Sequence, residues 1–185
     1  EKDRHAAEVL RGKVNALLKV VGAAAQGDLT GEVKVEGNEA ISVLENQTAQ
    51  LMSIFSQMPE EKGTFAYAEG KWTLKEALSH LIDGERIFAY RILRISRGDK
   101  TPIEGFEQDD YIATSNANSR SFANLLEEFD LQRRSNLILV KNISDEASRL
   151  MGTASDNPIS VRALVYIMAG HVTHHLRVIN ERYLS

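Results

Sequence analysis

The stretch SVRALVYIMAGHVTHHLRVINERYL, residues 160–184, decides how the chain is read. Val161, Leu164, Val165, Met168, Val172, Leu176, Ile179 and Tyr183 recur at steps of three and four, the spacing of one buried helix face. Ser160 stands where an N-cap belongs. Into that stripe the sequence sets His171 and His175, one helical turn apart, so their rings project from neighbouring turns of one face. His174 points away from the pair. Two imidazoles on an apolar face read either as satisfied core residues or as ligands of one metal ion. Zinc asks for at least three protein ligands, so the second reading needs a third histidine from elsewhere.

Working outward, three further segments carry helical periodicity. About residues 39–58, Ile41, Leu44, Leu51, Phe55 and Met58 form a stripe. WTLKEALSHL, residues 72–81, opens the best-marked helix. Thr73 and Glu76 have the spacing of a capping box, and Leu74, Leu78, Leu81, Glu85, Phe88, Ile92 and Ile95 follow on one face before Gly98 ends it. A segment of about residues 121–142 turns Phe122, Leu125, Leu126, Phe129, Leu137 and Val140 inward. Pro59, Pro102 and Pro158 all fall between these segments. Residues 99–121 and 144–158 read as long polar loops, and residues 33–36 as the only extended piece. Four helices, each with one apolar stripe, make an all-α four-helix bundle.

His80 lies at the flank of the third segment's stripe, and Gly84, one turn on, removes bulk from that flank. In a bundle, ligands project inward from facing helices. His80 with His171 and His175 would leave an open coordination position, the mark of a catalytic site. Glu85 on the inward stripe is a weak candidate catalytic base or orienting group, or else an ion pair with Arg86, Arg162 or Arg177. Asp83, Asp109, Asp110 and Tyr111 are pocket candidates, as is Trp72, which can roof the site or simply belong to the core.

The totals narrow the class. The chain has 185 residues, 43% of them hydrophobic, and a formal net charge of −4. Without a basic excess, nucleic-acid binding lacks its electrostatic footprint. Cysteine is absent, which excludes disulfides and any thiolate of the protein's own and fits a reducing cytoplasm. No apolar run reaches the ~20 residues of a membrane span, and no signal peptide is visible. The sequence opens at Glu1 rather than Met, as a trimmed chain would.

GKWTLKEALSHLIDGERIFAYRILRISRGDKTPIEGFEQDDY and SVRALVYIMAGHVTHHLRVINERYL resemble the DinB-like family, the DinB/YfiT superfamily, from about Glu39 to the C-terminus. The resemblance implies a four-helix bundle holding a divalent metal through one histidine of its second helix and an H-x-x-x-H pair of its last, which map onto His80, His171 and His175. Zinc or nickel is the metal expected. It further implies a thiol S-transferase or isomerase that takes a small-molecule thiol or electrophile; other members are stress-associated proteins.

Residues 1–38 do not fit that family. LRGKVNALLKVVGAAAQGDLTGEVKVEGNEAI resembles the first helix and connector of a HAMP signalling domain, with GDLT and GNEAISVL as the resembling motifs. Leu10, Val14, Leu17, Val21 and Ala24 form a short heptad seam, a possible homodimer contact. Two readings therefore stand: a metal-dependent transferase of 39–185 with an added N-terminal helix and connector, or a non-enzymatic metal- or ligand-responsive module. The first requires His171 for turnover. The second requires Leu17 and Val21 for assembly.

Overall fold

A computed structural model describes residues 39–184. Four long helices dominate it: α1 (Glu39–Phe55), α2 (Leu74–Ser96), α4 (Phe122–Lys141) and α6 (Val161–Val178). Between them lie α3 (Gln108–Thr114), α5 (Asp145–Ser148), two short strands, β1 (Met151–Ala154) and β2 (Asn157–Ser160), and 3-10 turns at Glu60–Thr64 and Ala117–Ser119. A π-helical turn, Ile179–Tyr183, continues α6. Helices α1 and α2 each pack mainly on α4 and α6, so the first two helices of the bundle occupy opposite corners. The connection through residues 56–73 makes that crossing.

Local chemistry starts the helices where the sequence marks them. Thr73 accepts from the Glu76 amide at 3.2 Å while Glu76 accepts from the Thr73 amide at 2.7 Å, a closed capping box. Ser121 and Ser160 cap α4 and α6 by accepting from the Asn124 and Ala163 amides. Gly98, at φ 81°, takes the left-handed conformation just beyond α2. The first helix stops at Phe55 rather than Met58, and Pro59 opens the 3-10 turn that follows.

Residues 144–158 are not the plain loop their polarity suggests. They hold α5 and an antiparallel hairpin, with Ala154 opposite Asn157. Ser155 (φ 49°) and Asp156 (φ 62°) are both left-handed, the geometry of a type I′ turn. That turn usually advertises itself with glycine, and here it does not. Extended structure at 151–160 overturns the expectation that 33–36 is the only such piece. The Ile103 amide and carbonyl bond to Thr153 and Ser155 at 2.9 Å each, laying the start of the 99–121 connection along the hairpin. The HAMP-like segment 1–38, its heptad seam and its extended connector lie outside the described residues. No described helix is long and apolar enough to cross a membrane.

The apolar core comes in two halves. One gathers Leu44, Ile92, Ile95, Val161, Leu164 and Met168; the other gathers Leu51, Phe55, Leu78, Leu81, Phe129, Val172 and Leu176. Between them lies a polar layer. Arg133 of α4, 0% exposed, forks onto both Glu85 carboxylate oxygens at 2.7 and 3.0 Å. Its Nη1 donates to Leu44 O (2.7 Å) and to Gln47 Oε1 (2.9 Å) of α1. Gln47 Nε2 donates in turn to Ala169 O (2.6 Å) and Thr173 Oγ1 (2.8 Å) of α6. Asn136 donates to Glu85 Oε2 at 2.9 Å. One hydrogen-bonded chain thus touches all four long helices. The buried partner of Glu85 is Arg133, not Arg86, Arg162 or Arg177. Arg133→Met would strand the Glu85 charge and should cost about 3–5 kcal/mol in urea unfolding. A loss below about 1 kcal/mol, the size for an exposed pair, would contradict this role.

Candidate metal centre

His80 faces inward from α2, 4% exposed, between Ser79 and Leu81. His171 and His175 come from successive turns of α6, among buried Met168, Val172 and Leu176. The three rings close a triangle whose centroids are 4.8 Å apart on every side. Nε2 of His80 and Nε2 of His171 approach to 2.8 Å, and one ring nitrogen from each histidine lies within 4.8 Å of the other two. Metal–nitrogen bonds of about 2.0–2.1 Å in a tetrahedron keep donor atoms about 3.3 Å apart. The 2.8 Å approach lies below that value and the 4.8 Å limit above it, so the three residues fit a shared divalent cation. His174 is exposed and turns its edge to His175; His5 lies outside the described residues.

Burial holds the rings neutral, the form that can ligate. His80 is pushed down to about 4 by desolvation, with the Asp109 carboxylate pulling the other way. His175 falls to about 3 through desolvation and the neighbouring imidazoles. His171 sits well below the ordinary histidine value for the same reasons, with Arg133 adding to the effect.

Aromatic rings enclose the triad. Trp72 lies 4.7 Å from the His80 ring and stacks on His175 at 6.4 Å. Its carbonyl accepts from the Tyr183 hydroxyl at 2.7 Å, and its indole N–H donates to Asp109 Oδ1 at 3.1 Å. Phe88 meets the His171 ring at 5.4 Å. Gly84 is explained by the same ring: a Cβ there would stand 2.7 Å from His171 Cε1 and 3.1 Å from Nδ1.

The other candidates fall elsewhere. Glu85 is saturated by Arg133 and Asn136. Asp83, its pKa raised by burial, faces Arg86 and Glu128. Asp110 and Tyr111 are exposed on α3, and the Tyr111 ring lies tilted against Phe106. Asp109, beside them in the first turn of α3, is the carboxylate that reaches the Trp72 edge of the site. Sequence reasoning passed over Arg133, Asn136 and Gln47, although each falls in register with an apolar stripe.

The family model of the DinB superfamily matches residues 44–179, well over half the sequence. The chain belongs to the DinB superfamily. Among solved structures it resembles YfiT from Bacillus subtilis, a probable metal-dependent hydrolase with an unusual four-helix bundle topology. The TM-score is 0.74 at 17% identity, covering 82% of this chain and 88% of YfiT. It also resembles a mycothiol-dependent maleylpyruvate isomerase (TM-score 0.63, 14% identity, 77% of this chain and 60% of that one). An uncharacterised protein from Clostridium difficile 630 matches with TM-score 0.63 at 15% identity, over 81% of this chain and 96% of that one. At such identities the likeness is one of fold. No curated protein sequence matches significantly.

Gly84→Ala should keep α2 helical, because alanine is the better helix former. It should weaken metal binding by about tenfold or more by displacing the His171 ring. Competition against a chromophoric chelator measures this, and an unchanged affinity would remove His171 from the ligand set.

Proposed function

We propose that His80, His171 and His175 hold one divalent cation, zinc or nickel, and that the site activates a low-molecular-weight thiol for transfer to, or isomerisation of, a small electrophile. The observation that carries this reading is the convergence of three neutral imidazoles, His80 buried and His171 and His175 half-buried, from two facing helices. A cation held by three nitrogens keeps a position for a further ligand and lowers the pKa of a thiol placed there. The chain has no cysteine, so the sulfur must arrive with a small molecule. Resemblance to a mycothiol-dependent isomerase supports the same class.

The protein's own groups have separable tasks. The imidazoles supply neutral donors. Trp72 covers His80 and His175 and limits water there. Tyr183 and Asp109 hold Trp72 in place. Glu85 and Asp83, the two carboxylates that follow His80 on α2, are turned to Arg133 and to Arg86. We further place the boundary between the N-terminal segment and the bundle at residues 38 and 39, since Leu44, Leu51 and Phe55 of α1 fill the core.

Cobalt-loaded protein should develop a sulfur-to-metal charge-transfer band on addition of a small thiol, and should conjugate that thiol to an aromatic electrophile. His171→Ala should abolish the band. It should also cut turnover by more than the about 10–100-fold that follows loss of a residue merely supporting a ligand. Cobalt binding without any thiol band would defeat the thiol reading.

A further inference from the structure

One buried cation, Arg91, has no counter-charge among the described residues. Arg91 of α2 is 7% exposed, yet no carboxylate pairs with it among the described residues. Its Nη2 donates to the Glu104 carbonyl (3.1 Å) and to Ser155 Oγ (2.9 Å), both neutral acceptors. Its Nε is fully enclosed and has no acceptor among the described residues. The contrast with Arg133, forked onto Glu85, and with Arg94, bonded to Asp99 at 2.6 Å, is plain. A guanidinium does not shed its proton to escape burial, so it stays charged and under-solvated. An anion arriving beside it would remove that cost, and the planar fork suits a carboxylate.

Arg91 also stands in line with the metal site. Eleven residues separate it from His80, close to three helical turns, so both project from one side of α2. Their Cα atoms are about 16 Å apart along the axis, and both side chains lean towards the helix N-terminus. Between them on that side lie Gly84, against the His171 ring, and half-buried Ile87 and Phe88. Residues 103–109 run over the same interval. At one end Ile103 is bonded to the hairpin and Glu104 to Arg91; at the other Asp109 holds Trp72 over His80. The sequence of groups along this strip is imidazoles, aromatic surface, cation. At the cation end Ser155 adds a hydroxyl that can turn from acceptor to donor.

We propose that Arg91, with the Ser155 hydroxyl, anchors the carboxylate of the small molecule whose sulfur or electrophilic carbon lies at the histidine triad. The substrate class is then a thiol or electrophile carrying a carboxylate across an apolar or neutral spacer of roughly 10–16 Å. As a substrate assignment this rests on the thiol reading above; as a carboxylate site it does not.

The two are separable by experiment. In metal-loaded protein labelled with 15N-arginine, hexanoate should give a saturable shift of the Arg91 Nε–H, and hexanamide none. Arg91→Gln should weaken hexanoate binding by about tenfold or more, with Arg91→Lys between the two. Equal responses to hexanoate and hexanamide, or undiminished hexanoate binding in Arg91→Gln, would overturn the proposal. Should Arg91→Gln fail to fold, the wild-type comparison and Arg91→Lys still decide it. On cobalt-loaded protein, 11-mercaptoundecanoate, long enough to bridge the two sites, should bind more tightly than 11-mercaptoundecanol. Equal affinities with a clear thiol band sink the Arg91 anchor and spare the thiol reading. Hexanoate binding with no thiol band from either compound does the reverse.

Discussion

Arg133, wholly enclosed, is the constraint on which the arrangement of the bundle turns. Apolar stripes let four helices associate, but they tolerate rotation and sliding, because hydrophobic contact is non-directional. The guanidinium is directional. It fixes α4 to Glu85 of α2 and to Leu44 and Gln47 of α1, and Gln47 passes the constraint to Ala169 and Thr173 of α6. Such a layer adds little net stability, since removing charges from water costs about what the pairing returns. What it supplies is orientation. Glu85 adjoins Gly84, against which the His171 ring lies, and Thr173 sits between His171 and His175 in the chain. Neither α2 nor α6 can turn about its axis without breaking this network, so the aim of the histidines is set from behind.

The triad itself is an unfavourable arrangement unless something joins it. His80 is buried and His171 and His175 half-buried; the 2.8 Å Nε2···Nε2 contact of His80 and His171 can carry one N–H···N hydrogen bond, and desolvation keeps further protons from joining the rings. A shared cation relieves all three at once, which is why convergence of nitrogens says more than burial alone. The same reasoning extends down α2. Arg91 is a buried charge with no carboxylate partner among the described residues, and the triad is a set of nitrogen donors that converge. Both lie on one side of one helix, and residues 103–109 reach from one to the other.

Much of this was legible in the sequence where a periodic pattern meets a residue that breaks it. His171 and His175 interrupt the stripe of the last helix, His80 and Gly84 that of the second bundle helix, and Thr73 with Glu76 marks a helix start by chemistry alone. Glu85 was visible as a charge on an inward face, but its partner was not identified: Arg133 lies far along the chain, and pairing across helices is a tertiary fact. Arg133 still left a trace, falling one turn after Phe129 on the same stripe, as Gln47 does between Leu44 and Leu51. The hairpin at 151–160 left almost none, because its left-handed turn is made by Ser155 and Asp156 without glycine. Arg91 was likewise hidden, since only the fold sets it against the neutral acceptors Glu104 O and Ser155 Oγ.

Metal content after loading and gel filtration, compared between the intact chain and His80→Ala, tests the central claim most directly. About one equivalent of zinc or nickel per chain should remain on the intact protein. The variant, helical by circular dichroism, should retain none above background. Equal metal in both would mean that the cation sits elsewhere or that the three rings are only packing.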